Sequence, residues 1–150
     1  MDKKTMDALS SMIYVSRVIA EGGSITDDDQ KIRASGVYAD WVPGNHTVGQ
    51  IYNAPDADGK DQTWECYQAY DNAVFPDIAP GLPAWFTFNR PLHGKSKETA
   101  RPWVAPTHSM DIYKCGEYMI WTDNIIYCCT ALNGTNFSPS DYPNGWKAAE

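Results

Sequence analysis

Six aromatic side chains stand where a ring could meet a ligand rather than a core. Tyr70 and Phe75 lie at and within a Pro- and Gly-rich stretch, and Phe137 and Tyr142 lie in a second one. Tyr118 and Trp121 flank a tight turn at Thr122-Asp123-Asn124. A flat aromatic face suits the apolar side of a pyranose ring, while nearby amides, carboxylates and Tyr hydroxyls orient its hydroxyls. That chemistry is binding. The other polar constellations lead elsewhere. Asp56-x-Asp58-Gly59-x-Asp61 starts like a calcium loop, but the twelfth position, where a bidentate acid belongs, is Tyr67. It reads as a solvated hairpin tip. Asp27-Asp28-Asp29 reads as an acidic helix start. His46, His93 and His108 lack paired-ligand spacing. His93 beside Gly94, flanked by Arg90 and Arg101, orders a connector. There is no Gly-x-Ser-x-Gly, HExxH or phosphate loop, and no marked pair of glycosidase carboxylates. The sequence predicts no catalytic residue, no metal and no cofactor.

These aromatics sit inside a pattern that occurs twice. Trp41, Gly49, Trp64, Cys66, Pro76 and Trp85 recur in order as Trp103, Gly116, Tyr127, Cys129, Pro139 and Trp146. The step from Trp64 to Pro76 equals that from Tyr127 to Pro139, and the step to the cysteine is also equal. Other steps differ as loops of variable length would. A repeat built on Trp, Gly and Pro predicts two small modules of roughly 45 residues each, a size at which a core alone is marginal. Duplication favours display of surfaces over catalysis, which needs one asymmetric site.

Composition narrows the partners. The chain has 150 residues and a net charge of −7, with no basic stripe, so nucleic acid is not expected. No apolar run is long enough to span a membrane. The stretch Ala8 to Ala20 is interrupted by Ser10, Ser11, Ser16 and Arg17, so no classical signal peptide is expected. The four cysteines do not form a metal-ligand spacing, and they read as reduced, buried thiols.

The elements that must position these residues follow from periodicity and punctuation. Met6, Leu9, Met12, Ile13 and Ile19 predict a helix over 4–20, ended by Gly22-Gly23. Leu9 with Ser16 and Met12 with Ile19 give it a short heptad seam, which suits a homotrimer. A second short helix is expected from Asp27 to about Ala34, after Thr26 as cap. Val42–Tyr52, Thr63–Ala69 and Ala84–Phe88 read as three strands of the first module. Glu117–Trp121 and Ile125–Thr130 form the clearest hairpin, apolar on both faces and therefore expected to be covered on both. The expected fold is mainly β with an N-terminal α segment, carrying two small three-stranded antiparallel modules in tandem. The expected division is a helical segment over 1–37, modules over 38–89 and 103–150, and a connector over 90–102.

The second copy runs Tyr113-x-x-Gly116-Glu117-x-Met119-x-Trp121, then Tyr127-x-Cys129, Pro139 and Trp146. It resembles the chitin-binding type 3 module appended to bacterial chitinases. Glu117 replaces that family's Asp and Met119 its Val. The first copy is more divergent, with His46-Thr47-Val48-Gly49-Gln50 at the Tyr-x-x-Gly-Asp place. The tandem, with its connector from Arg90 to Trp103, is similar to tail-associated proteins of phages and prophages of Firmicutes. The resemblance implies a non-catalytic carbohydrate-binding protein that contacts cell-surface glycans, or else an assembly protein whose modules bind other phage tail proteins. It implies a virion or extracellular location. It also implies that Trp41, Trp85, Trp103 and Trp146 are core, and that Tyr70 holds the family's exposed aromatic position, where the second copy has Leu132-Asn133.

Overall fold

A computed structural model describes all 150 residues. Helix α1 (Lys3–Ala20) starts at Asp2, whose carboxylate accepts from Thr5 N–H at 2.7 Å, and ends before Gly22 with φ 78°. Helix α2 (Asp28–Arg33) is capped by Asp27, not Thr26; Asp27 and Gln30 form a reciprocal capping box. Six residues cannot hold a helix alone. Tertiary contacts hold it here: Ser11 Oγ of α1 donates to Arg33 O and accepts from Gly36 N–H, each at 2.9 Å. A Cβ on Gly36 would stand 2.4 Å from Asp7 O, so α1 rests directly on the 35–37 turn.

The remainder is β structure. Strands β1 (Asn45–His46), β2 (Ile51–Pro55), β3 (Asp61–Cys66), β4 (Tyr70–Asp71) and β5 (Asn89–Pro91) come from the first half, and β6 (Arg101–Pro102), β7 (Tyr118–Ile120), β8 (Ile126–Cys129) and β9 (Trp146–Ala148) from the second. They form a β1-β4 pair, an antiparallel β2-β3-β5 sheet and a β6-β7-β8-β9 sheet in which β6-β7 is parallel. The protein is thus mainly β with an N-terminal α segment. Three strand expectations change. The run Val42–Tyr52 is interrupted by a turn at Thr47–Gln50, where Gly49 takes φ 93°. Pro83 opens a 3-10 turn over Pro83–Thr87, so the third strand is Asn89–Pro91 and not Ala84–Phe88. The second hairpin buries Met119 and Cys129 but leaves Tyr118, Ile120, Ile126 and Tyr127 half-exposed, so its outer face is only partly covered.

The two main sheets share local hydrogen bonding. Gly49 N–H donates to Cys66 O, and Cys66 N–H to Gln50 O; Gly116 N–H donates to Cys129 O, and Cys129 N–H to Glu117 O. Trp41 N–H donates to Asn53 O as Trp103 N–H does to Ile120 O. Trp41 meets Trp85 edge-on at 5.8 Å, and Trp103 meets Trp146 edge-on at 6.0 Å. Gly116 takes φ 91°, matching Gly49. Trp64, Trp85 and Trp146 are buried, whereas Trp41 and Trp103 are half-buried at the rim of their cores. Of the free cysteines, Cys66 and Cys129 are buried, but Cys115 is exposed and Cys128 half-exposed. No helix is long and apolar enough to cross a membrane.

Candidate binding surfaces

The six aromatics separate into core and surface. Tyr70, expected as an exposed platform, is 6% exposed. Its hydroxyl accepts from Trp41 Nε1 at 2.9 Å and shares a 2.8 Å bond with Tyr52 Oη. Pairing of β4 with β1 sets His46 opposite Tyr70 and turns the ring inward, with His46 and Phe88 against it. Tyr70 is therefore a core residue and leaves the set of surface candidates.

Phe75, Phe137 and Tyr142 are 60%, 57% and 40% exposed. Each sits on a fixed backbone. Asp71 Oδ1 accepts from Ala73 N–H at 2.9 Å and Asp71 O from Phe75 N–H at 2.9 Å, while Asn72 Nδ2 ties the loop to Ile78 O. Phe137 N–H donates to Thr135 Oγ1 at 3.0 Å, and Phe137 O accepts from Trp146 Nε1 at 2.9 Å. Tyr142 N–H donates to Ser138 O, and its ring lies on Gly145, where a Cβ would come within 2.6 Å of it. Phe137 and Tyr142 share the β8–β9 loop; Phe75 stands on the β4–β5 loop of the other sheet. Trp121 is half-buried, edge-on to Trp103 at 5.6 Å, and Tyr118 is half-buried on β7.

The polar candidates are largely internal. Asp56 is buried, and its Oδ1 accepts from Asp58 N–H at 2.9 Å and Lys60 N–H at 3.0 Å; residues 57–61 are exposed, so the hairpin tip itself is solvated as expected. His93 is buried with Nδ1 3.1 Å from Glu117 Oε1, its ring stacked on Tyr113 at 3.8 Å. Arg90 is clamped by Asp28 and Glu65 at 2.8 and 2.9 Å.

Sequence reasoning missed a cleft of about 970 Å³ between the first turns of α1, the 35–41 segment, the β2-β3 edge and β6. Tyr38 and Trp41 line it together with Asp61, Gln62 and Arg101. Arg101 is half-buried. Its Nη2 donates to Ser35 Oγ at 2.9 Å, and it joins no ion pair. Burial pushes its pKa down, against weaker upward pulls from Asp61 and Asp7. Local sequence around Arg101 is the ordinary run Thr99-Ala100-Arg101-Pro102, and only tertiary folding brings it against residues 35–62. No protein-family model, no curated protein and no solved structure matches this chain.

Proposed function

We propose that this is a non-catalytic carbohydrate-binding protein, built from two related chitin-binding-like modules. It works on a phage or prophage tail, in contact with cell-surface glycans. The observation that carries this reading is the set of exposed rings, Phe75, Phe137 and Tyr142, each held on a hydrogen-bonded loop. Prepositioned rings bind sugars without the entropic cost of ordering a loop. The matched hydrogen bonds and Trp pairs of the two sheets support the modular part of the reading.

A homotrimer belongs to the same proposal. Helix α1 packs on its own chain through Ala8, Ser11 and Val15, and its opposite face exposes Leu9, Met12, Ile13 and Ile19. The heptad spacing on that face suits further copies of the same helix, and weak sugar sites then gain avidity.

A second reading, a virion assembly protein binding other tail proteins, is favoured by exposed Val74 and Leu132, which are apolar without being flat rings. Pull-down on insoluble chitin, purified peptidoglycan and teichoic acid-bearing walls separates the two. The glycan reading expects retention on at least one wall, and about tenfold loss when Phe75, Phe137 and Tyr142 all become Ala. Retention on none, with tight capture of another tail protein, would overturn it.

A further inference from the structure

We infer that the cleft between α1 and the two main sheets is a saccharide site in which Arg101 contacts the sugar, Tyr38 and Trp41 form the walls, and the ligand is an uncharged polyhydroxylated ring. This rests on the glycan-binding reading and adds to the loop rings a second contact, in the cleft, for the same class of ligand.

Three observations converge on the cleft. The first is room: about 970 Å³ is at the upper end of small-ligand sites and accommodates a short oligosaccharide. The second is an unspent donor. A guanidinium carries five N–H groups in a rigid fork. Arg101 uses one hydrogen bond to Ser35 Oγ and has no carboxylate within ion-pair distance, although it is half-buried. The third is an unspent acceptor. Gln62 is 1% exposed and lines the same cleft; its Nε2 donates to Pro102 O at 2.7 Å and Asp56 Oδ2 at 3.3 Å, and its Oε1 has no partner. A buried acceptor without a donor is destabilising.

The charge pattern selects the ligand chemistry. Lys4 is paired with Asp40 at 3.0 Å and Lys3 with Asp7 at 2.7 Å, so neither ammonium is spare. Asp61 and Glu98 also line the cleft and have no ion-pair partner. A bare phosphate or carboxylate gains Arg101 but meets those two acids. A hydroxyl accepts from Arg101 and donates to Asp61, which is exposed on the same wall. Vicinal hydroxyls beside aromatic walls satisfy donors and acceptors together.

The test uses the full chain and a panel of soluble glycans that includes chitotetraose, peptidoglycan fragments and teichoic-acid repeats, with inorganic phosphate as the anion arm. Arg101→Met keeps the length of the side chain and removes the fork. The inference expects at least tenfold weaker saccharide binding by calorimetry, with an unchanged or higher melting temperature, because a desolvated, unpaired cation is lost. A lower melting temperature would mark Arg101 as structural and overturn its role. Independently, saccharide added to the native chain should move the Trp41 indole and Gln62 side-chain amide resonances. Binding that leaves both in place and is abolished by the Phe75, Phe137 and Tyr142 alanine triple variant overturns the cleft but keeps the glycan reading. The same shifts produced by phosphate, or by the anionic teichoic-acid repeats but not by chitotetraose, overturn the uncharged-ligand assignment. No binding to any panel member overturns both readings.

Discussion

At the scale of single residues, long-range partners decide what local sequence leaves open. Asp27, Asp28 and Asp29 look alike in sequence, yet only Asp27 caps the helix. Asp28 takes Arg90 through two bonds of 2.8 Å, and Asp29 accepts from Lys95 N–H at 2.7 Å and from the Thr99 hydroxyl. All three partners lie in the stretch read as connector. Burial pushes the Asp28 carboxyl up, but the Arg90 bonds outweigh it and hold it below the ordinary range; Asp29 is also lowered, by Thr99 and Lys95 against burial. A carboxyl whose folded pKa is depressed stabilises the fold above its unfolded pKa of about 3.9, and that contribution is lost as pH falls through the folded value. The expected outcome is stability that is flat in this contribution from neutral pH down to about 4 and falls below it. Asp28→Asn should lower stability by roughly 2 kcal/mol at pH 7 and flatten the acid limb, as read by urea titrations at several pH values. Tyr70 gives the complementary case. Its position after β3 could be read from the chain, but the burial of its hydroxyl between Trp41 and Tyr52 could not. Tyr70→Phe should lower stability by about 1–2 kcal/mol and leave glycan affinity unchanged. A selective loss of binding would restore Tyr70 to the site.

At the scale of elements, α1 was legible because apolar periodicity and a Gly-Gly stop act locally, and the observed Lys3–Ala20 adds only one residue to the expected start. The face that packs inward was not legible. The large apolar side chains point out, and the small Ala8 and Ser11 point in, because the 35–37 turn approaches too closely for anything bigger. The apolar stripe of Leu9, Met12, Ile13 and Ile19 thus stays exposed on the chain, and in the proposed trimer it meets another copy. Leu9→Glu with Ile13→Glu should convert a trimer to a monomer in analytical ultracentrifugation. The monomer should unfold cooperatively at a midpoint that does not depend on protein concentration, since neither side chain is buried in the chain itself. A wild-type protein that sediments as a monomer at micromolar concentration would rule out the α1 assembly. The second hairpin was likewise read nearly in place, because its turn residues and apolar runs are local signals, whereas the first strand of the first hairpin lies at Ile51–Pro55 and not over 42–52. The third strand of the first sheet was misread because Trp85 is needed in the core whether its backbone is strand or 3-10 turn.

At the scale of the whole molecule, the repeat predicts two small modules in tandem, and the two halves make extensive contacts with each other. Val104 belongs to the second half, yet it packs in the first core with Trp64 and Trp85, and its N–H donates to Tyr113 Oη of the second core at 3.2 Å. Gln62 Nε2 reaches Pro102 O, and Glu117 reaches His93 inside the protein. The 90–102 stretch is stitched to both sheets, by Leu92 N–H to Thr63 O of β3 and by Tyr118 N–H of β7 to Gly94 O. A Cβ at Gly94 would stand 2.3 Å from Thr99 O, so the connector also folds tightly on itself. Neither core is large: the second has Tyr113, Met119, Cys129 and Trp146 as its buried residues, too few to offset the entropy of ordering a free segment of its length. Each sheet therefore depends on the other through the stretch between them. The full chain should unfold in one transition, with far-UV circular dichroism and Trp fluorescence coincident in urea. Val104→Ala, which opens a gap in one core while leaving the hydrogen bond to the other, should lower both signals together by about 1–2 kcal/mol. Two resolved transitions, or a Val104→Ala shift confined to one probe, would show that the halves fold as independent modules and that the cleft between them is free to open.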